Sequence, residues 1–261
     1  MASVTRTPRH IAITGAGTGI GRAIALRLAR EGARLSLLAR SVSRLEETAK
    51  LARDEGAAAT LALSCDIRER QAVGQAFARA AQAHGPLHVL VANSGIGGPN
   101  EAGTADRFDD LVATNLTGTY NCLRAAEAFL ADGPEARHLV VIASVLARIG
   151  VGGYTGYCAS KAGLLGLVRA LAVELAAQNV QVNAVCPGWT DTAMARAGID
   201  SMAEELGISA ERACALALQA VPLGRMSEPE DVAGLVAWLC SPDARGVTGQ
   251  GLDMNGGAFM I

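Results

Sequence analysis

Short β-branched or aliphatic runs alternate with longer amphipathic stretches through most of the chain, and no other feature narrows the choice of fold as much. Candidate strands fall at His10–Thr14, Arg34–Ala39, Thr60–Ser64, His88–Ala92, His138–Ala143, Val180–Val185 and Gly249–Met254. Helical patterns lie between them at Ile20–Glu31, Ser43–Glu55, Arg68–His84, Asp106–Leu130 and Ser160–Gln178, with another near Asp231–Cys240. Strand–helix–strand order requires parallel pairing through right-handed crossovers. The expected fold is therefore α/β: a Rossmann-type, doubly wound sheet of about seven parallel strands with helices on both faces. No linker, repeat or low-complexity tract interrupts the sequence, which reads as one domain over 1–261. The rhythm breaks at about 187–225, where helical material is inserted; connections of that length inside a compact domain usually act as lids or binding loops.

Half the residues are apolar but only 3% are aromatic, so the core must be built from Ala, Val, Leu and Ile. A net charge of -2 offers nucleic acid no electrostatic footing, and the scarcity of aromatics removes base-stacking platforms. No run approaches the roughly 18 apolar residues of a membrane span, and the opening MASVTRTPRH lacks the apolar region of a secretory leader. The six cysteines form no CxxC pair and read as reduced, mostly buried hydrophobes of a cytoplasmic protein. The four histidines show no metal-ligand spacing, so no metal is expected.

Between the first strand and first helix stands Thr14-Gly15-Ala16-Gly17-Thr18-Gly19-Ile20-Gly21. Glycines in this place can take φ > 0, bring backbone N–H groups to a pyrophosphate and let helix and strand pack closely. The pattern is TGxxxGxG, since Ile20 and Arg22 occupy the positions that a third glycine of GxGxxG would need. It resembles the glycine motif of the short-chain dehydrogenase/reductase family, with Gly15, Thr18, Gly19, Ile20 and Gly21 as the candidate contacts. At the end of the second strand, Ala39 stands where NAD-binding members carry Asp, and Arg40 and Ser41 follow with groups suited to a 2′-phosphate. NADP(H) is thus favoured over NAD(H), although Thr18 does not add the basic residue that many NADP-binding relatives carry in this loop.

The resemblance continues along almost the whole chain. Asp66-Ile67 looks like the pair whose carboxylate accepts from the adenine amino group; Asp66 could also cap the helix beginning near Arg68. Asn93 and Gly95, in Ala92-Asn93-Ser94-Gly95, keep the turn of the family's Asn-Asn-Ala-Gly while lacking its first Asn, and the resemblance makes them further candidate cofactor contacts, as it does Ile67. Pro187-Gly188-Trp189-Thr190-Asp191-Thr192 resembles the segment bordering the nicotinamide, which implies contacts from Pro187, Gly188, Thr190 and Thr192.

The chemistry is carried by Ser144, thirteen positions before Tyr157, and Lys161, four after it. On a helix, Tyr157 and Lys161 share one face. A phenol with a pKa near ~10 is a poor base at neutral pH, and a neighbouring ammonium is expected to lower it. Ser144 can donate to the developing oxyanion. A tyrosine on a helix is usually packing, but nearby Tyr154 offers a contrast: its i+4 neighbour is Cys158, whereas that of Tyr157 is Lys161. Asn115 lies mid-helix, an unfavourable place for Asn; the family resemblance implies that it distorts the helix and holds a water in a proton relay through Lys161. Lys161 would also bind the ribose hydroxyls, beside Tyr157.

Candidate substrate residues are Leu146, Tyr154 and Trp189, the last readable equally as loop packing, together with the insertion and its Met194, Met202, Leu206, Leu216 and Leu218. These features point to an oxidoreductase that moves a hydride between NADP(H) and a hydrophobic ketone or secondary alcohol. The alternatives are a 3-oxoacyl thioester reductase and, outside enzymology, an NADP(H)-binding sensor or scaffold. The resemblance further implies self-association, as a homotetramer or else a dimer, through the helices around Asp106–Leu130 and Thr155–Gln178.

Overall fold

The computed structural model describes residues 8–100, 102–103 and 106–260; the opening stretch read for a leader lies largely outside them. Seven strands form a single parallel sheet in the order β3-β2-β1-β4-β5-β6-β7. They are β1 (His10–Thr14), β2 (Arg34–Ala39), β3 (Ala59–Ser64), β4 (Val89–Ala92), β5 (Arg137–Ile142), β6 (Val180–Pro187) and β7 (Gly251–Met254). Every residue of β1, β4, β5 and β6 is buried, as expected of parallel strands covered on both faces.

Successive side chains of each strand point to opposite faces, and so build two cores. On one face Ile11, Ile13, Leu35, Leu37, Val89 and Val91 meet α1 (Gly19–Ala29), α2 (Val42–Asp54) and a later helix, Pro229–Leu239. On the other, Ala12, Leu38, Leu90, Leu139 and Val182 meet α3 (Arg70–His84), with Phe77, and two further helical segments, Thr119–Glu127 and Thr155–Leu175. The strand order reverses between β1 and β4, so loops leaving their C-terminal ends diverge and open a crevice, the usual ligand position of this architecture.

The stretch expected as one helix over Asp106–Leu130 is broken. It consists of α4 (Phe108–Val112), a π-helical turn at Ala113–Gly118 that contains Asn115, and α5 (Thr119–Glu127). The next helix, α6, runs Thr155–Leu175, so Tyr157 lies in its first turn; the pattern beginning at Ser160 misses that turn because Thr155-Gly156 has little apolar periodicity. The insertion forms α7 (Ala193–Leu206) and α8 (Ala210–Leu218), which enclose a small separate core of Ile199, Ala203 and Ala213. α9 is Pro229–Leu239, where the Asp231 carboxylate accepts from the Glu228 N–H at 2.9 Å. All six cysteines are free, and among the described residues no helix is long and apolar enough to cross a membrane.

All four histidines gather at the N-terminal edge of the sheet, away from the crevice. His10 Nδ1 lies 2.8 Å from the Gly85 carbonyl and its Nε2 2.9 Å from Ser36 Oγ, while the His10 N–H donates to His88 Nδ1. Ser36 Oγ also lies 3.3 Å from His84 Nδ1. Burial lowers the pKa of all four, His10 and His138 to about 4. Above pH ~6.5 folded and unfolded imidazoles are alike neutral; below it the unfolded chain takes up protons that the folded chain refuses until about pH 4. Stability should therefore fall through that window, by up to about 3 kcal/mol for each of His10 and His138. Urea unfolding at pH 8, 6.5 and 5 measures this, and an unchanged midpoint would contradict it.

Candidate active site

The glycine loop is shaped by contacts that leave no room for side chains. Gly15 and Gly19 take φ of +66° and +52°, in the left-handed region. A Cβ on Gly21 would collide with the Gly15 carbonyl oxygen and come within 2.6 Å of Asn93 Nδ2. The Gly15 N–H donates to the Leu38 carbonyl at 2.7 Å, tying the loop to the end of β2. Thr14 Oγ1 accepts from the N–H groups of both Asn93 and Ser94 at 3.0 Å. The Asn93 amide returns bonds to the Thr14 and Gly15 carbonyls at 3.1 and 3.3 Å. Asn93 is thus spent on holding the loop, a positioning role that the resemblance alone does not reveal. Arg40 and Thr18 are exposed, and Ser41 is half-buried with its hydroxyl 3.2 Å from that of Ser43.

Across the crevice, β5 ends at Ser144 and α6 brings Tyr157 and Lys161 beside it. Ser144 and Lys161 are buried, and Tyr157 makes a hydrogen bond with Ser144. Lys161 Nζ donates to the Ile142 carbonyl at 3.0 Å and lies 5.7 Å from the centre of the Tyr157 ring. Asn115 is buried; its Oδ1 accepts from the Ile96 N–H at 2.9 Å, and its Nδ2 donates to the Ile96 carbonyl and to Ser160 Oγ. Ser160 in turn donates to the Tyr157 carbonyl at 2.9 Å, so Asn115 supports the turn that carries Tyr157. Gly95 makes this possible: a Cβ there would stand 3.0 Å from Asn115 Oδ1 and 3.6 Å from Lys161 Nζ.

Charge does not act here as expected from the spacing. Burial raises the Tyr157 pKa, the Ser144 hydrogen bond only partly opposing it. Burial also lowers Lys161 to about 8, with the Cys186 thiol pulling the other way. Burial outweighs any help to the phenolate, while Nζ donates to the Ile142 carbonyl.

Other expectations are sharpened. Asp66 does not cap α3, whose N-cap is Glu69; its carboxylate accepts from the Arg68 N–H at 3.0 Å and pairs with the Arg68 guanidinium at 2.7 Å, which holds its pKa low. The Ile67 side chain packs against Gly118 of the π-helical turn. Pro187 is buried at the end of β6, beside Met254 of β7. Gly188 is needed for close approach to Asn255, whose Cα would lie 2.9 Å from an added Cβ. The buried Thr190 turns its hydroxyl to the Gly188 carbonyl at 3.3 Å, whereas Thr192 stands at the crevice, its methyl 3.2 Å from a Cβ on Gly19. Leu146 donates its N–H to Ser144 Oγ at 3.1 Å, and Tyr154 precedes α6, half-buried. Trp189 packs on Gly198 within the small core of the insertion, which favours the packing reading over a substrate wall. Met194, in the first turn of α7, lies nearer the chemistry: Sδ is 2.9 Å from a Cβ position on Gly97, itself 3.8 Å from the Tyr157 ring. A cavity of about 650 Å³ within the insertion is floored by Ile199, Cys214 and Met226 and does not reach Tyr157.

The family model described as enoyl-(acyl carrier protein) reductase matches residues 15–258. The chain belongs to the short-chain dehydrogenase/reductase family. It is 37% identical to the 3-oxoacyl-[acyl-carrier-protein] reductase FabG of Aggregatibacter actinomycetemcomitans, over 95% of this chain and 98% of that protein. Among solved structures, an actinorhodin polyketide ketoreductase variant with NADPH superimposes with a TM-score of 0.89 at 35% identity, covering 96% of this chain and 97% of that one. A levodione reductase does so with a TM-score of 0.87 at 31% identity, covering 97% and 98%. As a member of the family this protein is an oxidoreductase acting between C=O and CH–OH with a nicotinamide cofactor.

The residues present fit that cofactor. The glycine loop is a cradle that a Cβ at Gly21 would fill, and it faces the crevice where the strand order reverses. Gly21→Ala should cost about 1–3 kcal/mol of stability and weaken NADPH binding at least ~10-fold. Fluorescence titration with NADPH on the purified variant, alongside thermal unfolding, measures both.

Proposed function

We propose that this protein uses NADPH to reduce a ketone to a secondary alcohol, with Tyr157 as the acid that protonates the substrate oxygen and 3-oxoacyl thioesters as the substrates. The observation that carries the reaction is the convergence of Ser144, Tyr157 and Lys161, with Asn115 behind them. When bound, the nicotinamide supplies the hydride. Gly15, Thr18, Gly19, Ile20 and Gly21 would hold the pyrophosphate, Arg40 and Ser41 the 2′-phosphate, and Thr192, rather than Thr190, the carboxamide. Asp66 would face the adenine, and Pro187 and Gly188 the ring.

Ser144 and Tyr157 together grip the carbonyl oxygen and favour the charge that develops on it. The raised pKa of Tyr157 keeps the phenol protonated at neutral pH, as reduction requires of a general acid. Lys161 then neutralises the phenolate left behind and, with Asn115 fixing the surrounding turn, returns a proton. Oxidation of the alcohol is the same path reversed. Ala39 and Arg40 support NADP(H) over NAD(H), since no acid stands there to repel a 2′-phosphate.

The likeness to FabG and to the polyketide ketoreductase supports the thioester reading. The free hydrophobic ketone is the second reading, and one observation favours it: two arginines of the insertion are already paired, Arg196 with Asp191 at 2.8 Å and Arg225 with Asp231 at 2.9 Å. Neither stands ready for the phosphate of a carrier. The exposed Val173 on α6 supports self-association as a homotetramer or dimer, and the six free cysteines support a reducing, cytoplasmic setting.

Tyr157→Phe should lower turnover by ~10²–10⁴ with NADPH affinity kept within a few-fold; near wild-type turnover would overturn the assignment. As pH rises through about 8, Lys161 loses its proton, so kcat/KM for reduction should decline there. A panel of 3-oxoacyl N-acetylcysteamine thioesters and cyclic ketones, followed by NADPH absorbance, separates the two substrate readings. Faster turnover with NADH would defeat the cofactor assignment.

A further inference from the structure

Tyr157 lies in the first turn of α6, where a helix leaves main-chain N–H groups that no carbonyl of its own can receive. Among the described residues α6 supplies no cap for itself. Tyr154, at the N-cap, makes no side-chain bond to the helix, and no acid stands in the first turn. The acceptor comes instead from Asn100, in the connection that follows β4. Asn100 is buried, and its Oδ1 accepts from the Gly156 N–H at 2.8 Å, one residue before Tyr157. Its Nδ2 donates to Thr155 Oγ1 at 2.8 Å and to Asp106 Oδ1 at 3.1 Å. A main-chain N–H can only donate and a carboxylate can only accept, so these neighbours fix which way round the amide stands. The Asn100 N–H donates in turn to the Gly153 carbonyl at 2.8 Å, and main chain and side chain thus both hold the approach to α6.

The same amide joins two helix starts. Asp106 Oδ1 also accepts from the Phe108 N–H at 2.9 Å, at the opening of α4. The two helices meet here without a gap: a Cβ on Gly156 would come within 3.1 Å of the Phe108 Cα and 3.0 Å of Leu111 Cδ1. The turn that carries Tyr157 is therefore gripped at both ends. Asn115 reaches it through Ser160, which donates to the Tyr157 carbonyl, and Asn100 reaches it through Thr155 and Gly156. A displacement of about 1 Å at a reacting group can cost ~10²-fold in rate, so a cap beside the phenol bears on the reaction as well as on the helix.

Resting on the reading of Tyr157 as the acid, we propose that Asn100 is a positioning residue for the reduction: it caps α6 from a loop distant in sequence and so sets where the Tyr157 hydroxyl stands relative to Ser144. Asp106 holds the amide in the orientation that does this.

The test is steady-state reduction with the fastest substrate of the thioester and ketone panel, together with carbon NMR of enzyme labelled at the tyrosine Cζ. Asn100→Ala should lower kcat about 10-fold and leave NADPH affinity within about threefold. Asn100→Asp keeps an acceptor for Gly156 but sets a second carboxylate against Asp106, and should lower kcat at neutral pH by a similar factor. Adding Asp106→Asn exchanges amide and carboxylate across the same bond, and should bring kcat back to within about threefold of the wild type. In a Tyr157→Phe background Asn100→Ala should cost less than about twofold, because the group it places is gone. The Tyr157 Cζ resonance, identified by its loss in Tyr157→Phe, should shift in Asn100→Ala and return in the exchanged pair. Equal loss from Asn100→Ala in both backgrounds would mean that the amide only supports the fold, and an unchanged kcat would overturn its role outright. If Tyr157→Phe itself keeps wild-type turnover, the acid reading falls; an unmoved Tyr157 resonance in Asn100→Ala defeats the positioning role alone. Thermal unfolding checks each variant, and if Asn100→Ala does not fold, Asn100→Asp and its exchange with Asp106→Asn decide the question.

Discussion

Thr14 and Asn93 join two loops that would otherwise part. The strand order reverses between β1 and β4, so the chain after β1 turns toward one face and the chain after β4 toward the other. A hydroxyl that accepts two N–H groups, and an amide that donates to two carbonyls, bind the loops across this divide. The glycine loop and the proposed acid/base group depend on that junction from opposite sides. The glycine loop takes its curve from Gly15 beside Asn93, and Gly95, two residues on, leaves the gap into which Asn115 and Lys161 fit.

Burial, more than charge, sets the chemistry of Tyr157 and Lys161. Each has lost its water, so the neutral form of each is favoured, the phenol upward and the ammonium downward. Their pKa values therefore part, with Lys161 at about 8 and Tyr157 above its ordinary value, so that the phenol keeps its proton over the range in which the amine titrates. The π-helical turn at Ala113–Gly118 belongs to the same economy of space: it brings the buried Asn115 amide to the Ile96 backbone and to Ser160, so that a polar side chain inside the core has its bonds satisfied.

The insertion closes the crevice by packing rather than by polar contact. Its own small core takes up Trp189, while Thr192 and Met194 reach over Gly19 and Gly97. Glycine therefore serves different ends along the chain. At Gly15 and Gly19 it supplies a backbone conformation, at Gly21 and Gly188 it makes room for another main chain, and at Gly97 it makes room for a lid side chain.

Much of this was legible in the residues alone. Period-two and period-3.6 patterns mark the strands and most helices, because parallel strands must be apolar on both faces and helices on one. The spacing of Ser144, Tyr157 and Lys161 marks the groups proposed to react, because an i,i+4 pair shares a helix face whatever surrounds it. The partners of Asn93, Ser160, Gly188 and Trp189 were not legible, since each is distant in sequence or depends on which way a side chain turns. Nor was the direction of the Tyr157 shift: local spacing brings an ammonium near the phenol, but only the packed structure decides how much water both have lost and that Nζ turns to Ile142. Sequence by itself determined most of the elements, by local periodicity, and their parallel pairing, by the alternation of strand and helix, but not the break at Ala113–Gly118 or the first turn of α6. Tertiary structure decided which polar groups are spent on holding the site and which remain for ligand, because burial and hydrogen-bond partners exist only once the sheet has formed.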